Sequence, residues 1–204
     1  MRTIDDAQDL AGKLLIAMPG MEDTRFQRSV IFICAHTAEG AMGLIINKPS
    51  AEMTFAALLE QLAIRRDASL ATEPALEGVK AAREIAVHFG GPVERGRGFV
   101  LHSEDWQGAA ELGLAVPGGY RMTATLDVLE ALAIGQGPSS ALLALGYSGW
   151  GAGQLEAEIL RNDWLVCPAD PELVFGSEDG AKWGGALRRL GIDPVTLSHQ
   201  AGRA

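Results

Sequence analysis

Little in this chain advertises a reaction. Among its 204 residues there are two cysteines, Cys34 and Cys167. They stand far apart and form no CxxC, so the spacing offers no disulfide framework and no zinc ribbon. Both lie inside apolar segments, 30–35 and 163–168, where buried free thiols are expected. Basic residues are few beside acidic ones: 17 Lys and Arg against 26 Asp and Glu give a net charge of −9. That charge repels a phosphate backbone, and no basic stripe offsets it, which disfavours direct nucleic-acid binding. The pairs Arg65-Arg66 and Arg188-Arg189 read as solvated helix ends. Long apolar runs are also missing. The longest, Val30–Ala35, has six residues, far short of the roughly 20 that cross a membrane. The first apolar stretch, Leu14–Met18, follows Asp5, Asp6 and Asp9, opposite in sign to a secretory signal. A cytoplasmic location is therefore the expectation. No repeat of fixed period is present. Neither G-x-x-x-x-G-K-[ST] nor a G-x-G-x-x-G after a strand occurs.

What is present is an ordinary globular composition, 48% hydrophobic and 21% charged, which argues against extensive disorder. The length suits one domain over residues 1–204, large enough to build a core without a disulfide or metal staple. Lys13–Met18 reads as a strand. Ser29–Ala35 is apolar on both alternations, so a strand there is covered on both faces. The turn Ala38-Glu39-Gly40 leads directly to a second apolar run, Ala41–Asn47. A connection that short forces antiparallel pairing, and Pro49 is expected to end it. Phe55, Leu58, Leu59 and Leu62 mark one face of a helix with Thr54 at its N-cap. Residues 65–83 are charged and irregular, the expected loose segment. Strands follow at Ile85–Phe89 and Gly98–Leu101, with an exposed turn around Glu94-Arg95-Gly96 between them. Leu112–Val116 and Tyr120–Thr123 suit a hairpin, and Leu126–Ile134 a helix with Thr125 as cap. Ala141–Leu145 is a buried strand, leading through a glycine-rich turn, 146–153, into a helix bearing Leu155 and Ile159. Trp164–Cys167 is a last strand. Asp179 is placed to cap a final helix that turns Trp183, Leu187 and Leu190 inward and stops at Gly191. Sequence-adjacent strand pairs mixed with helices indicate an α+β class.

Several of these segments are recognisable together. Leu14–Pro19, Asp23, Phe26, Ser29-Val30 and Gly40–Pro49 resemble the YqgE/AlgH family. The likeness continues through Gly90–Val93, Arg97–His102, Asp127–Leu129, Leu145–Tyr147, Trp150, Gly153–Glu156, Glu158-Ile159 and Asn162–Leu165, almost end to end. The resemblance implies a bacterial cytoplasmic protein. Its fold would be a compact α+β one: a mixed, largely antiparallel, bent and partly barrel-like sheet with several packed helices. The family carries a transcriptional-regulator label, and the resemblance implies no particular reaction.

Five constellations could carry chemistry. Gly146-Tyr147-Ser148-Gly149-Trp150 has the setting of a nucleophile elbow, but Trp150 stands where G-x-S-x-G needs glycine. A triad would also have to use His199 from the polar C-terminal tail. The glycines read more simply as points of close backbone approach. The same turn could present N–H groups to an anion, although Glu156 and Glu158 already complement that helix end. Cys34 and His36, two apart on a strand, would share a face and could be half of a metal site, but no second ligand pair has the spacing. His102 ends a strand beside Glu104 and Asp105, a position suited to acid–base work or to orienting a loop; His88 is the weaker candidate. Gln154, Glu158 and Asn162 form a polar helix stripe that could line a cleft against Tyr147 and Trp150. The reading that follows is a non-catalytic regulatory or adaptor protein that binds a protein partner or a small ligand. No catalytic residue, metal or cofactor is assigned. The candidate binding surface comprises His102, Tyr147, Trp150, Gln154 and Glu158. The alternative is a hydrolase with its site near His102 or the 146–154 turn.

Overall fold

The computed structural model describes residues 9–64, 85–106, 108, 113–176, 178–195 and 197. The expected loose segment, 65–83, lies outside them. In chain order the elements are β1 (Lys13–Ala17), β2 (Val30–Thr37), β3 (Gly40–Ile45), β4 (Pro49–Thr54), α1 (Phe55–Gln61), β5 (Ala86–Phe89), β6 (Val93–Ser103), β7 (Leu114–Val116), β8 (Tyr120–Thr123), α2 (Leu126–Ala133), β9 (Ala141–Gly151), α3 (Gln154–Leu160), β10 (Trp164–Pro168), α4 (Pro171–Phe175) and α5 (Asp179–Arg189). The class is α+β, as the element pattern predicts.

The strands form one sheet in the order β10-β1-β2-β3-β9-β6-β8-β7, with β4 on β5 and β5 on β9. The pairing is antiparallel except that β5 runs parallel to β9. The β2–β3 hairpin has the expected direction, with Ile31 opposite Ile45 and Thr37 opposite Gly40. The sheet curls into a half-barrel. The curl brings strands β2 and β8, not neighbours in the sheet, face to face across the enclosed core, with the Phe32 ring 4.9 Å from the Tyr120 ring.

Strand alternation divides the apolar residues between the two faces. Leu14, Ile16, Val30, Phe32 and Leu44 enter the core enclosed by the curl, which α5 covers with Trp183 and Leu187. Leu15, Ala17, Ile31, Ile33 and Ile45 face outward, under Leu155 of α3. Phe55 and Leu59 of α1 and Val128 and Leu132 of α2 cover Val87, Val100 and Leu143 on the second half of the sheet. Both faces of the first three strands are thus buried, which is why their sequences show no polar alternation.

Several local expectations give way to tertiary pairing. Pro49 opens β4 instead of ending the sheet, and stands opposite His88. Proline is tolerated there because the first residue of a strand at a sheet margin need not donate a ladder N–H. Residues 94–96 are exposed, yet they belong to β6. The register shifts between Val93 and Gly98, so the expected turn is an irregular stretch within the strand, with extra residues relative to β9. Thr54 caps α1 by accepting from the Ala57 N–H at 3.1 Å, but Leu62 falls past the helix end and is 38% exposed. Thr125 occupies the N-cap of α2, but its hydroxyl bonds to the Asp127 carboxylate and leaves the helix N–H groups alone. Glu178, not Asp179, is the N-cap of α5.

The largest correction concerns the glycine-rich stretch. Residues 146–151 continue β9, and the chain turns only at Ala152-Gly153. Gly146, at φ 72°, bends the strand where its neighbour changes from β5 to β3. A Cβ on Gly146 would stand 2.6 Å from the Gly91 carbonyl oxygen, and one on Gly90 would stand 2.2 Å from the Gly146 oxygen. The crossing of these two backbones leaves no room for side chains at either point.

Candidate functional site

His102 was the leading acid–base candidate, and the structure places it inside the fold at 0% exposure. Its Nδ1 lies 2.8 Å from the Ser103 carbonyl oxygen, so that nitrogen carries the hydrogen. In the neutral ring, Nε2 then accepts from the Thr123 hydroxyl at 2.9 Å. Burial holds its pKa below the ordinary 6.5, against the opposing effect of the Ser103 bond. The Trp106 ring packs edge-on against it at 5.6 Å. Both nitrogens are committed, and the imidazole anchors β6 to β8. The carboxylate of Asp105 turns away to the Ser103 hydroxyl and to the Ser139 N–H at 3.1 Å.

The other candidates separate onto two faces of β9. Tyr147 packs edge-on against Phe99 at 5.8 Å, beside the enclosed core. Trp150 is 7% exposed on the opposite face, within the outer cluster under α3. They do not form the two walls of one cleft. Instead Glu158 collects donors: the indole N–H groups of Trp150 and Trp164, each at 2.8 Å, reach one carboxylate oxygen, and the Gln154 amide at 2.9 Å reaches the other. Gln154 in turn accepts the Gly151 N–H at 3.0 Å. Trp150 and Trp164 meet edge-on, and Phe26 packs edge-on against Trp164 at 5.7 Å. Asn162 sits beyond α3 with φ 61° and joins none of these bonds. The polar stripe is thus partly turned inward, clamping α3 to β9 and β10.

Ser148 is buried and donates to the Gly90 carbonyl oxygen at 3.3 Å. Cys34 and His36 do not share a face. An extra residue enters β2 between Ile33 and Ala35, which stand opposite the successive residues Gly43 and Met42. Beyond this bulge the alternation inverts. Cys34 therefore points into the enclosed core. His36 points outward, where Nδ1 accepts from the Leu10 N–H at 3.3 Å and Nε2 pairs with Glu156 at 2.7 Å. Among the described residues no group of three or more His, Cys, Asp or Glu could hold a metal. Burial raises both thiol pKa values, that of Cys167 to about 11, and neither cysteine is paired.

Two groupings escaped the sequence reading. The first is a buried ionic chain. His88 donates to the Leu143 carbonyl oxygen and faces Asp179 at 3.1 Å, and Asp179 meets Lys182 at 2.9 Å. Lys182, 4% exposed, also donates to the Ile46 and Val174 carbonyl oxygens at 2.9 and 3.0 Å. Burial pushes the Asp179 pKa up, but hydrogen bonds from His88 and Lys182 outweigh it and hold the carboxyl below its usual range. Burial lowers the pKa of Lys182. The chain binds the start of α5 to β5 and to the end of β3.

The second grouping surrounds a groove of about 420 Å3, whose lining includes Pro19, Thr24, Arg28, Trp183 and Leu197. Arg28 has φ 53°, a conformation that costs a non-glycine residue on the order of 1–3 kcal/mol and persists only where its surroundings impose it. Asn47 imposes it. Its side chain donates to the Arg28 carbonyl oxygen and accepts the Val30 N–H, both at 2.8 Å. Lys48 holds the same loop through the Arg25 carbonyl oxygen at 2.6 Å. The guanidinium of Arg28 is thereby set over the Trp183 ring, 5.4 Å from its centroid. The indole N–H of Trp183 donates to the Ala17 carbonyl oxygen at 2.9 Å, which fixes the ring. In sequence, residues 19–29 and 47–48 read as strand ends and as parts of the resemblance, with no site assigned to them, and the structure brings them together on one wall.

Comparison with known proteins agrees with this architecture. Residues 14–195 match the family described as AlgH-like. An UPF0301 protein of Cereibacter sphaeroides is 59% identical over 96% of this chain and 100% of its own length. An UPF0301 protein of Ruegeria pomeroyi is 56% identical, with the same coverage of both chains. Among solved structures, the AlgH protein from Pseudomonas aeruginosa superposes with a TM-score of 0.70 at 40% identity, covering 100% of both chains. Protein DIP2367 from Corynebacterium diphtheriae reaches a TM-score of 0.65 at 26% identity, over 91% of this chain and 88% of its own. With its sequence matched over nearly its whole length and its half-barrel shared with a solved member, this chain belongs to the AlgH-like family.

Proposed function

We propose that the protein acts without catalysis, as a regulatory or adaptor protein of the bacterial cytoplasm that binds a small ligand or a protein partner. The observation that supports this most is the use to which its reactive side chains are put. His102, Ser148, Cys34 and Glu158 each complete a bond or a packing contact inside the fold. A hydrolase would need a base and a nucleophile converging on open surface. His102 pairs opposite Ala141 on β9, seven residues before Ser148, a separation of about 20 Å along a strand. By contrast, the groove beside Arg28 is open and of a size that holds small molecules.

The test is affinity capture of the full chain from its native cytoplasm, with intact-mass analysis of what stays bound, beside an assay with generic ester substrates. The expected outcome is a retained metabolite or protein in near-stoichiometric amount and no ester turnover. Turnover that disappears in Ser148→Ala or His102→Gln would refute the proposal.

A further inference from the structure

From the same groove we infer a binding site for a small monoanionic carboxylate with an apolar body, its oxyanion taken by Arg28 and its body by Trp183 and the neighbouring prolines. The inference rests on the ligand-binding reading above and narrows it to one place and one chemistry.

Charge is the first argument. Among the described residues, Arg28 is the one charged side chain in the lining and no carboxylate lines the groove. Two acids close by in sequence have partners of their own: Asp23 pairs with Arg25 at 2.6 Å, and Asp193 accepts the Val195 N–H at 3.0 Å. One cation in a protein of net charge −9 suits one negative charge better than the two of a phosphate monoester. The Arg28 guanidinium, 5.4 Å from the Trp183 ring centroid, carries a planar fork of N–H groups that matches the two oxygens of a carboxylate.

Preorganisation is the second argument. The left-handed backbone of Arg28, the Asn47 clamp around it and the tethered Trp183 ring fix the cation and its platform before any ligand arrives. A cation and a platform held in place at an open pocket wall favour binding, because little ordering is left to lose on association. Pro19, Pro194 and Leu197 supply the apolar surface around it, while Thr24 and Gln27 can donate hydrogen bonds.

The experiment uses isotope-labelled full-length protein, with benzoate as the probe, benzamide as its neutral isostere and phenyl phosphate as the dianionic comparator. Benzoate is expected to shift the Trp183 indole N–H and the amides of Thr24, Gln27 and Arg28, with a Kd of about 1 mM or tighter. Benzamide should bind at least about tenfold more weakly, and phenyl phosphate no more tightly than benzoate. Arg28→Gln, at an exposed position, should keep the melting temperature and abolish the preference for benzoate over benzamide. The benzoate and benzamide pair tests the wild type directly, so a poorly folded variant does not remove the test. Equal binding of the pair, shifts confined to another surface, no shifts, tighter binding of phenyl phosphate, or unchanged discrimination in a folded Arg28→Gln protein would each overturn the inference. None of these outcomes touches the broader reading, which fails on ester turnover.

Discussion

Replacing Lys182 with methionine keeps the side chain's length and apolar stem and removes only the ammonium group. That group is 4% exposed, and its three bonds, to the Ile46 and Val174 carbonyl oxygens and to Asp179, span 2.9–3.0 Å. All three ammonium hydrogens are therefore used. Methionine fills most of the space, so the cavity contribution is small. What remains is two carbonyls without this donor and a half-buried carboxylate held by His88 alone. Removing one partner of a buried pair costs about 3–5 kcal/mol. At about 2–4 °C per kcal/mol for a chain of this size, the melting temperature should fall by roughly 6–20 °C. Urea unfolding measures the change as a lower midpoint at unchanged slope. Adding Asp179→Asn should cost less than the two single losses summed, because the second change removes the charge that the first left exposed to the interior. The acid limb has a definite sign. Asp179 titrates below its usual 3.8 in the fold, so its contribution is whole above that pH and disappears as pH falls through the folded value. A Lys182→Met protein within about 0.5 kcal/mol of wild type would refute this account of how α5 is held.

Glu158→Ala should destabilise by about 1–3 kcal/mol, since two buried indole N–H groups lose a charged acceptor; Glu158→Gln should lose less, and chemical denaturation compares them. Trp150→Ala should cost roughly 3–5 kcal/mol by the same measurement, whereas Ser148→Ala, which removes one 3.3 Å bond, should stay within about 1 kcal/mol. An equal loss in both would contradict the packing described for β9. In a pH titration followed by NMR, the His102 ring should titrate below 6.5. Below that pH the unfolded chain takes a proton that the folded ring refuses, so stability falls with acidification. A midpoint at or above 6.5 would show that desolvation does not dominate at this ring. Native protein should resist a thiol reagent at neutral pH and show both cysteines only after denaturation, because burial raises both thiol pKa values; rapid native labelling would place a thiol at the surface.

How much of this was legible in the sequence depends on the range of the interaction involved. The β2–β3 hairpin could be read directly, because a two-residue connection between apolar runs permits one pairing direction. So could the inward faces of α1 and α5, whose apolar spacing is the helical repeat itself. The α+β class, and a family likeness covering nearly the whole chain, rest on the same local patterns. Other features were settled by partners distant in the chain. The bulge that sends Cys34 and His36 to opposite faces exists only because β2 must match β3 residue by residue. Residues 146–151 carry turn-forming glycines, yet they are strand, because β3 supplies their hydrogen bonds and the Gly90-Gly91 backbone needs the space a side chain would fill. Glu158 read as part of a polar stripe lining a binding cleft, but two indoles from β9 and β10 close over it. Arg28 was an unremarked residue in a loop. Asn47 bends its backbone, and Trp183, tied to Ala17 across the sheet, gives its guanidinium a platform. Propensity and periodicity act over a few residues and can be read along the chain. Burial, register and charge pairing join groups far apart in it, and only the folded packing decides which of them meet.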